Sequence, residues 1–357
     1  MSCSPLGDAD NFSCFMLNDL KHIASELNKS GVFVPDTDDK KILHNYISIH
    51  MEQSGQCKEE SCWVSTKSAT KFKDRFVPIM PDKWREKPGM WLNTSDIDKV
   101  LKQYSKANDD FYYYGAVPID FDLEEDNNCL VSNICKISLT KHYKNGIKKI
   151  GIVYNTDPST KEGEHWISSI IDLEGINRNK LLNKNVENVE NVKRSKERKK
   201  LEKIEDETIY GMYFFDSVSD PAPKQVKKLY KRLKTQANDL GKNLHFFQND
   251  VPHQLGNNEC GIYSIYFIHN MLKGRGFFDI VEDIKRDKDM HEYRKVYFRA
   301  KSESELKTKK TKKRKKQKKK RNKKSKKKSK RSKKKSKRSN KKSKRSNKKS
   351  KRSKKKV

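Results

Sequence analysis

Cysteine, long apolar runs and, near the C-terminal end, acidic residues are what this 357-residue chain has little of. Cysteine occurs only at 3, 14, 57, 62, 129, 135 and 260. That is too few, and too irregularly spaced, for the disulfide framework of a secreted chain, so a reducing, intracellular setting (cytoplasm or nucleus) is expected. No apolar run approaches the roughly 18 residues of a membrane span. Residues 1–15 have neither the basic start nor the apolar core of a signal peptide, and a membrane partner is not expected. Cys57 and Cys62, with His44 and His50 upstream, lack the second closely spaced cysteine pair of a common zinc site. They read as packed or solvated thiols, and neither a metal nor a cofactor is expected.

The missing acids explain the charge. From Lys307 to Val357 there are 35 Lys and Arg and no Asp or Glu; taking these from the 82 basic residues of the whole chain leaves 47, against 47 acidic ones. The body is therefore electrically balanced, and the net charge of +35 belongs to the tail. Like charges at that density forbid a core, so residues 301–357 are expected to be disordered. Such a tail binds nucleic acid or another polyanion by counterion release, without reading sequence. Nuclear import or plain solubility are the simpler uses.

Residues 1–80 form an N-terminal region with two helical patterns, 15–27 and 40–51, the second preceded by Asp residues suited to capping. The Pro-broken stretch 78–87 suggests a connector, so the main domain is taken as 81–300. Trp91 precedes a helix that Asn93, Thr94 or Ser95 can cap. Runs 112–120, 133–139 and 148–154 have strand character, the last most plainly. Residues 163–173 alternate apolar and polar from His165 onward, and 208–217 form another strand ending in Asp216. Between them, 174–207 is rich in Asn, Lys and Glu and reads as a polar insertion, partly helical or disordered. An exposed amphipathic helix over 221–240 and a short strand over 244–248 follow.

The stretch 252–263, Pro-His-Gln-Leu-Gly-Asn-Asn-Glu-Cys-Gly-Ile-Tyr, then delivers Cys260 to the first turn of an apolar run, 262–272, long enough for a buried helix. A helix N-terminus favours an anionic sulfur and offers free N–H groups to an oxyanion. A thiol nucleophile also needs a base, a group to orient it, and oxyanion donors. If the strands are neighbours, His165 supplies the base, Asp216 orients it, and Gln254 joins the Cys260 N–H at the oxyanion. Taken singly, each of these residues reads as easily as a structural one; their order and spacing carry the chemistry.

Trp91-Leu92-Asn93 before a helix, His165-Trp166 opening a strand, Phe215-Asp216-Ser217 closing the next, and Gln254 ahead of Cys260-Gly261 resemble the ubiquitin-like-protein-specific cysteine proteases. That superfamily comprises the deSUMOylases and the adenovirus-type maturation proteases. The resemblance covers about half the chain. It implies an α+β, papain-like cysteine protease fold, with the nucleophile on a central helix packed against a mixed sheet. It further implies protein substrates cut after small residues, often Gly-Gly, with Trp91 and Trp166 walling a narrow channel. The substrate is either a viral structural precursor with a Gly-Gly-X site or an isopeptide-linked ubiquitin-like modifier. The inserts and basic tail favour a protease of a large DNA virus, found in host cells and in the virion. An acyltransferase and an inactive nucleic-acid-binding protein are the remaining alternatives. Two features depart from the pattern: Glu259 stands where the family commonly has Asp, and 51 positions separate His165 from Asp216, a gap that removal of 174–207 brings back to ordinary length.

Overall fold

The computed structural model describes residues 3–8, 12–55, 58–125, 128–182 and 196–302. The tail from 303 onward and the middle of the insertion, 183–195, lie outside the described residues. In the N-terminal region, α1 (Leu17–Lys29) and α2 (Lys40–Gln53) form on the expected patterns. Leu20, Ile23, Ala24 and Leu27 share the buried face of α1, and the Asp39 carboxylate caps α2 by accepting from the Lys41 and Ile42 N–H groups. The short α3 (Glu60–Trp63) contributes Trp63, whose ring stacks on Phe15 with centroids 5.7 Å apart. These residues form an apolar cluster of their own.

The cysteines correct one expectation. Cys3–Cys14 and Cys129–Cys135 are disulfides, with Cα atoms 5.1 and 6.3 Å apart, and Cys62 is disulfide-bonded too. Each of the two bridges closes a short loop, 11 or 6 positions long, so it needs only a turn that brings two Cα atoms within reach. A search for a regularly spaced framework passes over such local pairs. Cys260 is the free cysteine among the described residues. Also among them, no group of three or more His, Cys, Asp or Glu is placed to hold a metal, and no helix is long and apolar enough to cross a membrane.

The stretch 78–87 is packed rather than loose. Met80 N–H donates to the Arg299 carbonyl, Arg299 N–H to that of Pro78, and Trp84 meets Phe298 edge to face. Beyond it, α4 (Thr94–Ala107) is capped by Asn93, whose side chain accepts from Asp96 N–H while Asp96 reciprocates. Then come β1 (Phe111–Pro118), a small ladder of β2 (Glu124–Glu125) with β3 (Asn128–Cys129), and the short helices α5 (Ser132–Cys135) and α6 (Leu139–Lys144). Run 133–139 is thus not a strand. Its buried residues Ile134, Ile137 and Leu139 lie three and then two apart, Ile134 on α5 and Leu139 opening α6, which Ser138 caps; short apolar runs do not settle their own period.

The remaining elements are β4 (Lys149–Asn155), β5 (Trp166–Asn177), α7 (Arg178–Leu182), α8 (Lys196–Glu202), β6 (Thr208–Phe215), α9 (Lys224–Asn238), β7 (Leu244–Gln248), α10 (Cys260–Leu272), α11 (Phe277–Glu282) and α12 (Asp287–Tyr297). One five-stranded sheet runs β1-β4-β5-β6-β7; its outer pairs are parallel and its inner pairs antiparallel. Alternation along β5 and β6 sends Trp166, Ile170, Tyr213 and Phe215 to one face and Ile167, Ile171, Met212 and Phe214 to the other. The first face is covered by α10 with α4, α11 and α12, the second mainly by α9 through Val226, Leu229 and Leu233. Since α10 is apolar nearly all round, it is buried along its length. The architecture is α+β with the Cys260 helix against a mixed sheet, as expected.

The flanks of the polar insertion bury more than their composition suggests. Leu181, Leu201 and Arg198 are all inside; the Arg198 guanidinium pairs with Glu282 at 2.9 Å, donates to the Leu181 carbonyl, and lies 5.1 Å from the Phe278 ring. A few well-placed side chains suffice to dock α7 and α8 when their one buried charge finds a partner.

Candidate active site

Antiparallel pairing of β5 with β6 decides the first contact. Ser168 pairs with Phe215, so the residue just before β5, His165, and the one just after β6, Asp216, emerge at the same end of the sheet. His165 Nε2 lies 2.7 Å from Asp216 Oδ1. Its backbone carbonyl accepts from Thr156 N–H on the neighbouring strand's exit, which fixes where the ring starts. Asp216 is itself held: its N–H donates to Asn249 Oδ1 at 2.8 Å, Asn249 Nδ2 donates back to its carbonyl at 2.6 Å, and its Oδ1 also accepts Val218 N–H. The turn closes through Ser219, which adopts a left-handed φ of 64°, an uncommon conformation for a residue with a side chain.

Cys260 is the first residue of α10 and is almost completely buried. The Cys260 sulfur is near enough to His165 to raise its proton affinity, so the imidazole is under the influence of both the Asp216 carboxylate and the thiol. Burial pushes the His165 pKa down, but hydrogen bonds and charge from Asp216 and Cys260 outweigh it and raise the value to about 10. The proton therefore rests on the imidazole at neutral pH. The Cys260 N–H belongs to the first turn, whose amides an α-helix leaves without intrahelical partners.

Gln254 is buried before that helix. Its Oε1 accepts from Ser217 Oγ at 2.7 Å and its Nε2 donates to the Gly256 carbonyl at 2.9 Å, leaving the second amide hydrogen for another acceptor. His253 and Gln254 both donate their backbone N–H to the Ser217 carbonyl at 2.8 Å, tying this loop to the turn that carries Asp216. His253 is locked as well: Nε2 meets the Val281 carbonyl at 3.0 Å and Nδ1 accepts Lys285 N–H, while burial lowers its pKa.

Trp91 and Trp166 sit together along a groove of about 850 Å³ whose lining also includes Trp84, Met90, Leu92 and Val117. They differ in exposure. Trp91 is 40% exposed, its indole N–H 3.3 Å from Asn258 Oδ1, whereas Trp166 is 7% exposed and donates to the Leu92 carbonyl at 2.9 Å. Gly261 makes this close approach possible, because a Cβ there would meet Leu92 at 3.0 Å and Trp166 at 3.4 Å.

His165 thus meets Asp216 directly and is influenced by Cys260, Gln254 is tied to Ser217 beside Asp216, and both tryptophans line one groove. Asn249 and Ser217 hold Asp216 and Gln254, Asp287 accepts the Leu255 and Gly256 N–H groups, and Arg294 pairs with Glu259; none of these four was singled out from the sequence for chemistry. Ser217 was legible only as the neighbour of Asp216, and nothing local in the sequence marks the other three.

Residues 149–308 match the Ulp1 protease family, C-terminal catalytic domain. The chain is 28% identical over 210 residues to a thiol protease of Acanthamoeba polyphaga mimivirus, covering 58% of this chain and 57% of that protein. The chain therefore spans a little over half the length of that relative. It is 21% identical over 295 residues to a SUMO-1 cysteine protease of African swine fever virus, covering 80% and 91%. The crystal structure of an African swine fever virus protease superposes with a TM-score of 0.52 at 17% identity, over 84% of this chain and 98% of that one, a likeness of fold. The family match begins at β4, so Trp91 and α4 lie outside it. With a thiol at the start of a buried helix and a histidine near it, residues 149–308 carry the pattern of the catalytic domain of the Ulp1 protease family.

Proposed function

We propose that this chain is a cysteine endopeptidase that hydrolyses peptide or isopeptide bonds after small residues such as Gly-Gly and acts in the maturation of a virus. The observation that carries the reading is His165, whose Nε2 lies 2.7 Å from Asp216 Oδ1 and whose charged form is favoured by both Asp216 and the Cys260 sulfur at the start of α10. In this mechanism the Cys260 sulfur, its proton held by His165, attacks the substrate carbonyl; the developing oxyanion takes the Cys260 N–H and the free amide hydrogen of Gln254. His165 then gives its proton to the leaving amine, and water, deprotonated by the same ring, releases the thioester. Asp216 keeps Nε2 as the protonated nitrogen turned away from the sulfur and stabilises the imidazolium. The indole faces of Trp91 and Trp166 suit a flat glycine backbone and leave little room for a branched side chain.

The viral relatives support a virion-maturation role, with a structural precursor as substrate. Modifier cleavage has one observation in its favour, since African swine fever virus relatives are named SUMO-1 cysteine proteases. Two glycine-ended electrophilic probes separate these, one on a bare Gly-Gly peptide and one on a SUMO or ubiquitin body. Preferential labelling of Cys260 by the peptide supports precursor cleavage, and preferential labelling by a modifier supports the isopeptidase. Labelling by neither, or equal labelling of Cys260→Ala, overturns the protease reading.

A further inference from the structure

The turn between Gln254 and Cys260 is held largely by a single element, α12. At the start of α12 the Asp287 carboxylate accepts the N–H groups of Leu255 and Gly256 at 3.0 and 2.8 Å, and the Gly256 carbonyl in turn accepts from Gln254. Two turns later Arg294, only 3% exposed, spreads over three acceptors. Its Nε donates to Glu259 at 2.6 Å, one terminal nitrogen to the Asn258 carbonyl at 3.1 Å, and the other to the Met90 carbonyl at 2.9 Å. The guanidinium lies 4.4 Å from the Trp84 ring, and His291 Nδ1 approaches the other Glu259 oxygen at 3.8 Å.

We infer that Arg294 is a positioning residue for the oxyanion: anchored on Met90 and Trp84, it grips the two residues before Cys260 and so aims the Cys260 N–H. The inference rests on the proposed protease chemistry. A guanidinium presents its donors in one rigid plane, so binding Asn258 and Glu259 together fixes the orientation of the peptide that leads into Cys260. A buried ion pair adds little net stability once desolvation is counted, and a well-packed apolar pair would hold the turn as firmly. What the pair adds is direction, and an oxyanion donor acts through direction. The thiol, by contrast, is served by His165, which is not among the groups Arg294 binds.

Full-length protein carrying Arg294→Lys keeps a cation beside Glu259 but cannot reach all three acceptors at once. Two reagents then separate aim from reactivity. Iodoacetamide alkylates Cys260 without forming an oxyanion, whereas a Gly-Gly peptide aldehyde adds the sulfur to its carbonyl, whose oxygen takes up the oxyanion position. The expected result is aldehyde inhibition weakened at least about tenfold and kcat reduced by a similar factor, with KM within about threefold and alkylation of Cys260 within about twofold. Unchanged aldehyde binding, or a parallel loss of alkylation and aldehyde binding, overturns the inference. Thermal melting verifies that the variant folds; where it does not, Glu259→Gln, which keeps an acceptor for Nε but not the charge, is judged by the same criteria. A wild-type protein that neither cleaves nor binds the aldehyde contradicts the protease reading itself, a different result from a variant that behaves like wild type.

Discussion

Burial alone would strip the proton from His165, yet the Asp216 carboxylate and the Cys260 sulfur hold its pKa up to about 10. A histidine raised in this way is fully charged below its ordinary range near 6.5 and loses its charge, with the stabilisation it brings, as pH rises through about 10. Peptide cleavage that depends on charged His165 is therefore expected to hold through neutral pH and to fall on the alkaline side near 10. Asp216→Asn removes the strongest of the raising influences, so that limb should move toward neutral while kcat drops roughly a hundredfold or more. A kcat/KM profile across pH for both proteins is the measurement; an alkaline limb that stays in place refutes the coupling. Cys260→Ala and His165→Ala are both expected to reduce cleavage to background, by about four orders of magnitude or more. Retained activity in the first would remove the nucleophile assignment outright.

Among the elements, α8 shows how a polar segment joins the core. Leu201 is fully buried and Arg198 nearly so, its charge matched by Glu282 on α11. Leu201→Ala should lower stability by about 2–4 kcal/mol, read as a shift of the chemical-denaturation midpoint, with cleavage by the folded protein little changed. No shift would mean that α8 is not docked in solution. At α10 the constraint is different. Gly261 leaves room for Leu92 and Trp166, which puts the groove tryptophan and the Cys260 helix in direct register.

For the whole molecule, the separation of charge from core matters most. The N-terminal region is joined to the body through side chains of α4: Gln103 donates to the Phe76 carbonyl at 2.9 Å, and Lys106 pairs with Asp74. Among the described residues, those that build and support the site run from Pro81 to Arg294, well short of the basic tail. Truncation after Leu306 is accordingly expected to keep peptide cleavage and to abolish DNA binding whose affinity falls steeply with salt. DNA affinity that survives truncation, measured as log Kd against log salt concentration, would place the polyanion site on the body instead.

By itself the sequence determined whatever depends on local period and order. The α10 run, the β4 and β5 patterns, polar caps before α2 and α4 and the chain order His165, Asp216, Gln254, Cys260 were all legible, because helix and strand periods and capping chemistry act over a few residues. Tertiary structure alone decided the rest. Run 133–139 was too short to declare its period, and cysteine pairing followed loop geometry rather than spacing. The burial of Arg198 waited on Glu282, 84 positions away. Likewise Asn249, Asp287 and Arg294 act on Asp216, Gly256 and Glu259 across 33, 31 and 35 positions, so their roles are hydrogen bonds between distant segments, which no local pattern encodes.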